Sequence, residues 1–506
     1  MKVLMKTKNV LGAAVALALV AYAGTTWYFG GEAQKRYEAA LAKVQEVLGP
    51  RALVSHQYER GFWTSKAKAV VQWAPPPASE GGADSASLAT SQPIRLTVDT
   101  SVRNGPLVGM RLVAAETESR FSMDGLDASA KQQWAQMSAP TVTTVHHVSG
   151  SHDLDVAMPA GEISDQEQGL RWQPLILKMH VDASGSHLSG RVDGPEFSMS
   201  AVAPTDDDNE DSDDDSDESD ADTDRDESAT AVAAEPGAID RVTMTMQGMS
   251  ADFEMDLQDG LWMLAPGHVK GRIEKTVATL TPGDAEAQTL LALDAMDYSL
   301  IVQRSGNTLS WKTNAQTKGS VGPLGFDAIT MEETVSRIDI EALKFLQATL
   351  VDAYQKAAEL GDAVDLVEEL APMKNIARLL VASLPAYTVK MTSTLDGKQA
   401  ILEYGIEIQK APPEDQTLDL AWGLALLGNS VVHANFRLPK AWLPHLAQAI
   451  TQNAMSSDQM DAFLSMAETQ GYVRQEGEDI TSALRFEDGS LHINGKPRAL
   501  PLPGGR

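Results

Sequence analysis

The chain has 506 residues, 43% of them hydrophobic and 22% charged, enough apolar material for a packed core and too much chain for one ordinary one. A net charge of −29 argues against nucleic acid as a partner and against peripheral adsorption to anionic lipid, because both need a basic face. Cysteine is absent, which excludes disulfides, thiolate metal sites and cysteine nucleophiles.

Lys2, Lys6 and Lys8 precede an uncharged run over residues 9–31. As a helix, residues 10–29 rise roughly 30 Å, about one hydrocarbon thickness. Val10, Leu11, Val15, Leu17, Leu19 and Val20 supply the apolar body, and Tyr22, Trp27, Tyr28 and Phe29 the aromatic end. The expectation is a single-pass anchor in a bacterial inner membrane, residues 1–31, with a cytoplasmic N-terminus and the bulk of the chain periplasmic. Ala21 and Ala23 also form the A-x-A pattern that signal peptidase cuts, so cleavage is the alternative. Both readings send residues 32–506 to the periplasm if the source is a Gram-negative bacterium.

Residues 32–50 read as an amphipathic stalk helix, with Tyr37, Leu41, Val44 and Leu48 on one stripe and Gly49-Pro50 as its stop. Two heptads are short for a coiled coil, so the stripe is expected to pack on the domain. From Gly61 the chain alternates, with Trp63, Ser65, Ala67, Ala69, Val71 and Trp73 on one face. Period two predicts that residues 58–73 form a first, half-buried strand, its aromatics turned to the core rather than to a ligand.

Residues 58–200 continue as a β-rich region after a Pro/Ala/Ser-rich loop at 74–93, with short strands separated by turn residues. Residues 201–238 contain a tract, 206–227, with fifteen acids and one Arg, which cannot bury a core and reads as a disordered insertion. The region 239–506 resumes the same period-two pattern, so one sheet interrupted by a loop is favoured over two domains. A helical segment is expected near 331–384, with Leu343, Leu346, Leu350, Tyr354 and Ala357 on one face, further stretches near 362–372 and from Met373, and a helical pair near 440–469. Asp396-Gly397, Asp488-Gly489 and Asn494-Gly495 read as hairpin turns. The fold class is therefore α+β: one N-terminal membrane helix, then a large, mainly antiparallel sheet with two helical segments.

Tyr58, Arg60, Gly61, Phe62 and Trp63, within Y-E-R-G-F-W-T-S, follow the apolar segment and stalk in a way that resembles the start of the YdgA-like family of bacterial envelope proteins, a domain of unknown function. Gly105-Pro106-Leu107 resembles that family's His-Gly-Pro-Leu element, with Asn104 standing where the family tends to have His. Residues 471–502, including Asn494-Gly495, are similar to the family's closing strands. The resemblance implies an envelope protein with a single N-terminal anchor and supplies no reaction. The acidic tract looks like an insertion of this chain.

The catalytic motifs sought by spacing are absent, including H-E-x-x-H, G-x-S-x-G and the phosphate-binding glycine loops. His146, His147 and His152 form the one histidine cluster, but 146 and 147 point to opposite faces of a strand and read as surface residues rather than a metal site. The Asp-x-Asp runs of the acidic tract lack the glycine that a calcium loop needs for its turn. No catalytic, cofactor or metal residue is assigned. The expected function is a non-enzymatic binding or scaffold protein of the envelope, whose partner is another envelope protein or a lipid. The alternative is a carrier of a hydrophobic ligand in an apolar β-groove, and a hydrolase is the third reading.

Overall fold

A computed structural model describes residues 25–45, 52–73, 94–125, 131–135, 138–164, 168–202, 241–257, 264–281, 286–360, 373–413, 420–446 and 457–498, single positions within 25–45 and 131–138 excepted. Among these residues the body is a single antiparallel sheet of 22 strands, built almost entirely by pairing each strand with the next.

A helix α1 (residues 25–42) leads into β1 (Leu53–Glu59), β2 (Thr64–Trp73) and β3 (Ile94–Asn104), which pair in order. A small hairpin, β4 (Leu107–Val108) and β5 (Arg111–Leu112), stands off the sheet, and β6 (Ala115–Asp124) returns beside β3. β7 (Thr141–His146) and β8 (His152–Met158) follow. The order breaks once. β9 (Gly161–Ser164) and β10 (Gln168–Trp172) fold aside, so β8 pairs with β11 (Leu175–Val181), and β12 (His187–Val202) pairs with both β11 and β10.

Long hairpins then run through β13 (Arg241–Asp256), β14 (Gly267–Thr281), β15 (Gln288–Ser305), β16 (Thr308–Val321) and β17 (Leu324–Asp339). Helices α2 (Ile340–Leu360) and α3 (Met373–Ala382) separate β17 from β18 (Ala386–Leu395). β19 (Lys398–Ile408), α4 (Leu420–Gly428), β20 (Ser430–Pro439) and α5 (Ser457–Thr469) follow. β21 (Arg474–Glu476), β22 (Asp479–Glu487), β23 (Ser490–Ile493) and β24 (Lys496–Arg498) close the chain, with β22 against β20.

Local sequence explains much of this. Asp396-Gly397, Asp488-Gly489 and Asn494-Gly495 all have positive φ at both positions, the conformation that tight hairpins require and these residues tolerate. Three glycines sit directly across from a ring: Gly190 from Phe253, Gly271 from Tyr298 and Gly405 from His433. A Cβ at Gly271 would lie 2.2 Å from the Tyr298 ring, so the glycine gives the ring its seat.

Four expectations are corrected. Residues 58–73 are not one strand but the end of β1, a turn and β2, and Trp63 lies in the turn, 56% exposed rather than facing the core. The alternation itself holds from Ser65 onward, where Ser65, Ala67 and Ala69 are buried. The helical segment expected from 331 begins at Ile340, because residues 331–339 complete β17 and Val335 is buried opposite Trp311. The switch has a local cause: the Asp339 carboxylate accepts the Ala342 N–H at 2.9 Å, an N-cap. The described residues 25–42 form one continuous helix across the boundary expected at 31/32 between anchor and stalk, and α4 was not expected at all. The helix expected near 362–372 lies outside the described residues, as do the side chains of Tyr354 and Ala357.

The strands flanking the acidic tract are direct neighbours, with Val202 opposite Arg241. They meet at one rim of the sheet, opposite the rim that carries β4–β5 and the joins of α2, α3 and α4. No helix among the described residues is long and apolar enough to cross a membrane. Val10, Leu11, Val15, Leu17, Leu19, Val20, Ala21, Tyr22 and Ala23 lie outside the described residues.

A candidate binding site beneath the first helix

The family-like residues converge where α1 meets the sheet. Arg60 donates to the Trp27 carbonyl and stacks its guanidinium 3.9 Å from the centre of the Trp27 ring. Asn104 is buried, and its amide nitrogen donates to Gly61 O at 3.1 Å, Phe62 O at 3.0 Å and Ser65 Oγ at 3.2 Å. Its backbone N–H reaches Trp63 O at 2.9 Å. Gly30 of α1 packs on the Asn104 amide, with 3.1 Å left for any Cβ. Gly61 and Gly105 are each closed by a backbone carbonyl, from Thr64 and Val113, that a Cβ would approach to 1.9 Å. Pro106 follows in a cis peptide, and Leu107 opens the exposed hairpin. The motif is thus a joint that fixes α1 to the sheet. Asn494 forms a second knot at the other end of the chain, exchanging bonds with Ala483 and donating to Gly471 O at 3.1 Å, while Gly495 completes the turn.

From this joint α1 runs across β2 and β3. Tyr37 donates to Lys68 O at 3.1 Å and packs on Tyr58 with ring centres 5.5 Å apart. Leu41 is buried against the sheet. Between helix and sheet lies a cavity of about 660 Å³, within the range of small-molecule sites. Tyr28, Phe29, Tyr37, Leu41, Val44 and Val102 give it an apolar lining. Tyr58 Oη, on the same wall, is buried and has no hydrogen-bond partner among the described residues. Arg36, His146 and His147 add polar groups.

The histidines are arranged rather than scattered. His146 and His152 are cross-strand partners whose Nδ1 atoms share a proton at 2.9 Å. Burial, then the neighbouring His152 and Arg36, lowers His146 to about 4, so it is neutral at pH 7. His180 and His147 both reach Asp153 at 2.6 Å, and these bonds hold the Asp153 carboxyl below its usual range. The reading of these residues as surface histidines is therefore corrected for His146 and His147, which line the cavity. Among the described residues no three His, Cys, Asp or Glu converge to hold a metal ion.

The floor of the cavity continues across the sheet. Direct partners share a face. The row that starts at Ala67 passes Thr100 and Ser119 to Val142, Val156, Leu177, Val192 and Ala251. It goes on through Gly271 to Tyr298, Ala315, Met331, Met391, Leu402 and Phe436. At about 4.8 Å per strand, the apolar part from Val142 onward spans on the order of 50 Å. The row one residue away is charged or polar, as in Lys178, Arg191, Asp252 and Lys270, then Glu332, Lys390 and Glu403. The sheet is amphipathic, and its apolar side stays accessible, with Met391 36% and Leu402 41% exposed.

A family model described as a bacterial protein of unknown function (DUF945) matches residues 4–501, nearly the whole chain. The chain belongs to this family. No curated protein and no solved structure matches it. The sequence resemblance at both ends therefore extends through the middle. The family's description adds no reaction, so the chemistry of the site rests on the geometry above.

Sequence reasoning found the joint residues without their role. It missed Arg36 and His146 as cavity groups, because strand order alone brings residues 28–44 and 100–148 together.

Proposed function

We propose that this family member is a non-enzymatic binding protein of the bacterial envelope, held in the inner membrane by residues 9–31, whose sheet takes up a hydrophobic ligand of acyl type. The observation that carries the reading is the apolar row running from the α1 cavity to Phe436. A soluble domain normally covers such a face with a second layer. Here a chain-like ligand matches the elongated shape of the row and its lack of charge. This favours the carrier form of binding over a pure scaffold. The strands are not apolar on both faces at the row, which argues for a groove on one side rather than a closed tunnel.

The test is mass spectrometry of the full-length protein after solvent extraction. A bound lipid at defined stoichiometry, reduced severalfold in Leu177→Asp, is the expected result. Protein free of lipid, or a lipid retained equally by Leu177→Asp, would return the scaffold reading to first place. Resistance to alkaline carbonate extraction tests the anchor separately: release of a chain starting near Gly24 would mean a cleaved signal.

A further inference from the structure

We propose that the β4–β5 hairpin and the turn at Phe62-Trp63 form a second membrane contact, resting on a bilayer surface beside residues 25–31 of α1. Met110 is 93% exposed, Leu112 71% and Leu107 52%, and Phe62 and Trp63, whose carbonyls are bonded to Asn104 at the root of the hairpin, are exposed as well. Gly109 and Met110 occupy the tip with φ of +54° and +65°. Such a turn is best served by Asn-Gly or Gly-Gly, and Met with positive φ is unfavourable there. A large apolar side chain at that position serves an environment other than water.

The position of residues 25–31 identifies the environment. Arg60 and Asn104 hold Trp27 and Gly30 against the root of this hairpin, so the uncharged run of residues 9–31 reaches the body at this point. The inference rests on reading that run as a bilayer segment. Trp27 and Tyr28, both exposed, then fall at headgroup level with Trp63, where amphipathic rings are favoured. The charge fits as well. Arg111 of the hairpin and Arg103 at its root both pair with Glu116, a local cationic surplus in a chain of net charge −29. With the hairpin on the bilayer, the cavity under α1 lies beside the headgroups, and an acyl chain could pass into it without crossing water.

The chain has no cysteine, so single labels are unambiguous. Full-length protein carrying Leu17→Cys, Met110→Cys or Phe463→Cys, each labelled with an environment-sensitive fluorophore, is placed in lipid nanodiscs containing nitroxide lipids. The expected result is deep-nitroxide quenching at 17, blue-shifted emission with headgroup-nitroxide quenching at 110, and water-like emission at 463. Quenching at 17 with water-like emission at 110 overturns the hairpin contact and leaves the anchor standing. Absence of quenching at both positions overturns both. A blue shift at 110 without lipid quenching assigns the tip to a protein contact and equally overturns the proposal.

Discussion

The Asn104 amide nitrogen shares its two N–H groups among three acceptors of one turn, and Gly30 of the helix above packs on it. Asn104→Ala leaves those acceptors with reduced bonding in a buried place and is expected to cost about 2–3 kcal/mol, read as a lower urea midpoint. A His at this position, the residue to which the family tends, presents fewer donors in its neutral form, so Asn104→His should fall between the two. His146 makes a different prediction. Its folded value, about 4, lies below the ordinary 6.5, so the native state binds fewer protons than the unfolded chain between those limits. Its contribution is therefore complete above about pH 6.5 and is lost as pH falls toward 4. Thermal melts across that window should show a steep loss of stability in the wild type and a shallower one in His146→Gln. Equal slopes would mean that other groups control the acid response.

At the scale of elements, α1 depends on few attachments. Arg60→Ala removes both the stacking on Trp27 and the bond to its carbonyl, a loss of about 1–2 kcal/mol for partly exposed groups. Hydrogen exchange should then rise selectively in residues 25–42 while the strands keep their protection. Strands were the most legible elements, because alternation marks them wherever one face is apolar, as at Ser65, Ala67 and Ala69. The errors share a physical origin. Phe62 and Trp63 are apolar residues in a turn, so hydrophobicity carried the predicted strand through it. Met331 and Val335 sit four residues apart, a spacing that suits a helix, yet they belong to a strand whose pairing with β16 decides the matter. The Asp339 cap was readable and marks the true start of α2. The candidate site was not readable: period two tells which residues share a face, but not which strands are neighbours or that α1 lies over them.

At the scale of the molecule, two surfaces are separated by the length of the strands. The joint, the cavity and the hairpin occupy one rim, and the acidic tract connects β12 to β13 at the other. β13 has sixteen residues and at about 3.3 Å each spans roughly 50 Å, well beyond the reach of screened charge at physiological salt. The strand ends that carry the tract therefore lie far from the cavity. Deleting residues 206–227 leaves enough chain to join Val202 to Arg241, which already lie opposite each other. Shortening a connection about twofold changes its closure entropy by only about 0.6 kcal/mol, in the favourable direction. Removing a net −14 also relieves self-repulsion in the tract. The deletion should therefore melt cooperatively, with stability within about 1 kcal/mol of the wild type. It should also retain as much extracted lipid as the full chain. Loss of the cooperative transition would make the tract part of the sheet's support. Loss of lipid with an intact melt would mean that ligand reaches the apolar face from the far rim, which would move the route of loading away from the membrane-proximal end.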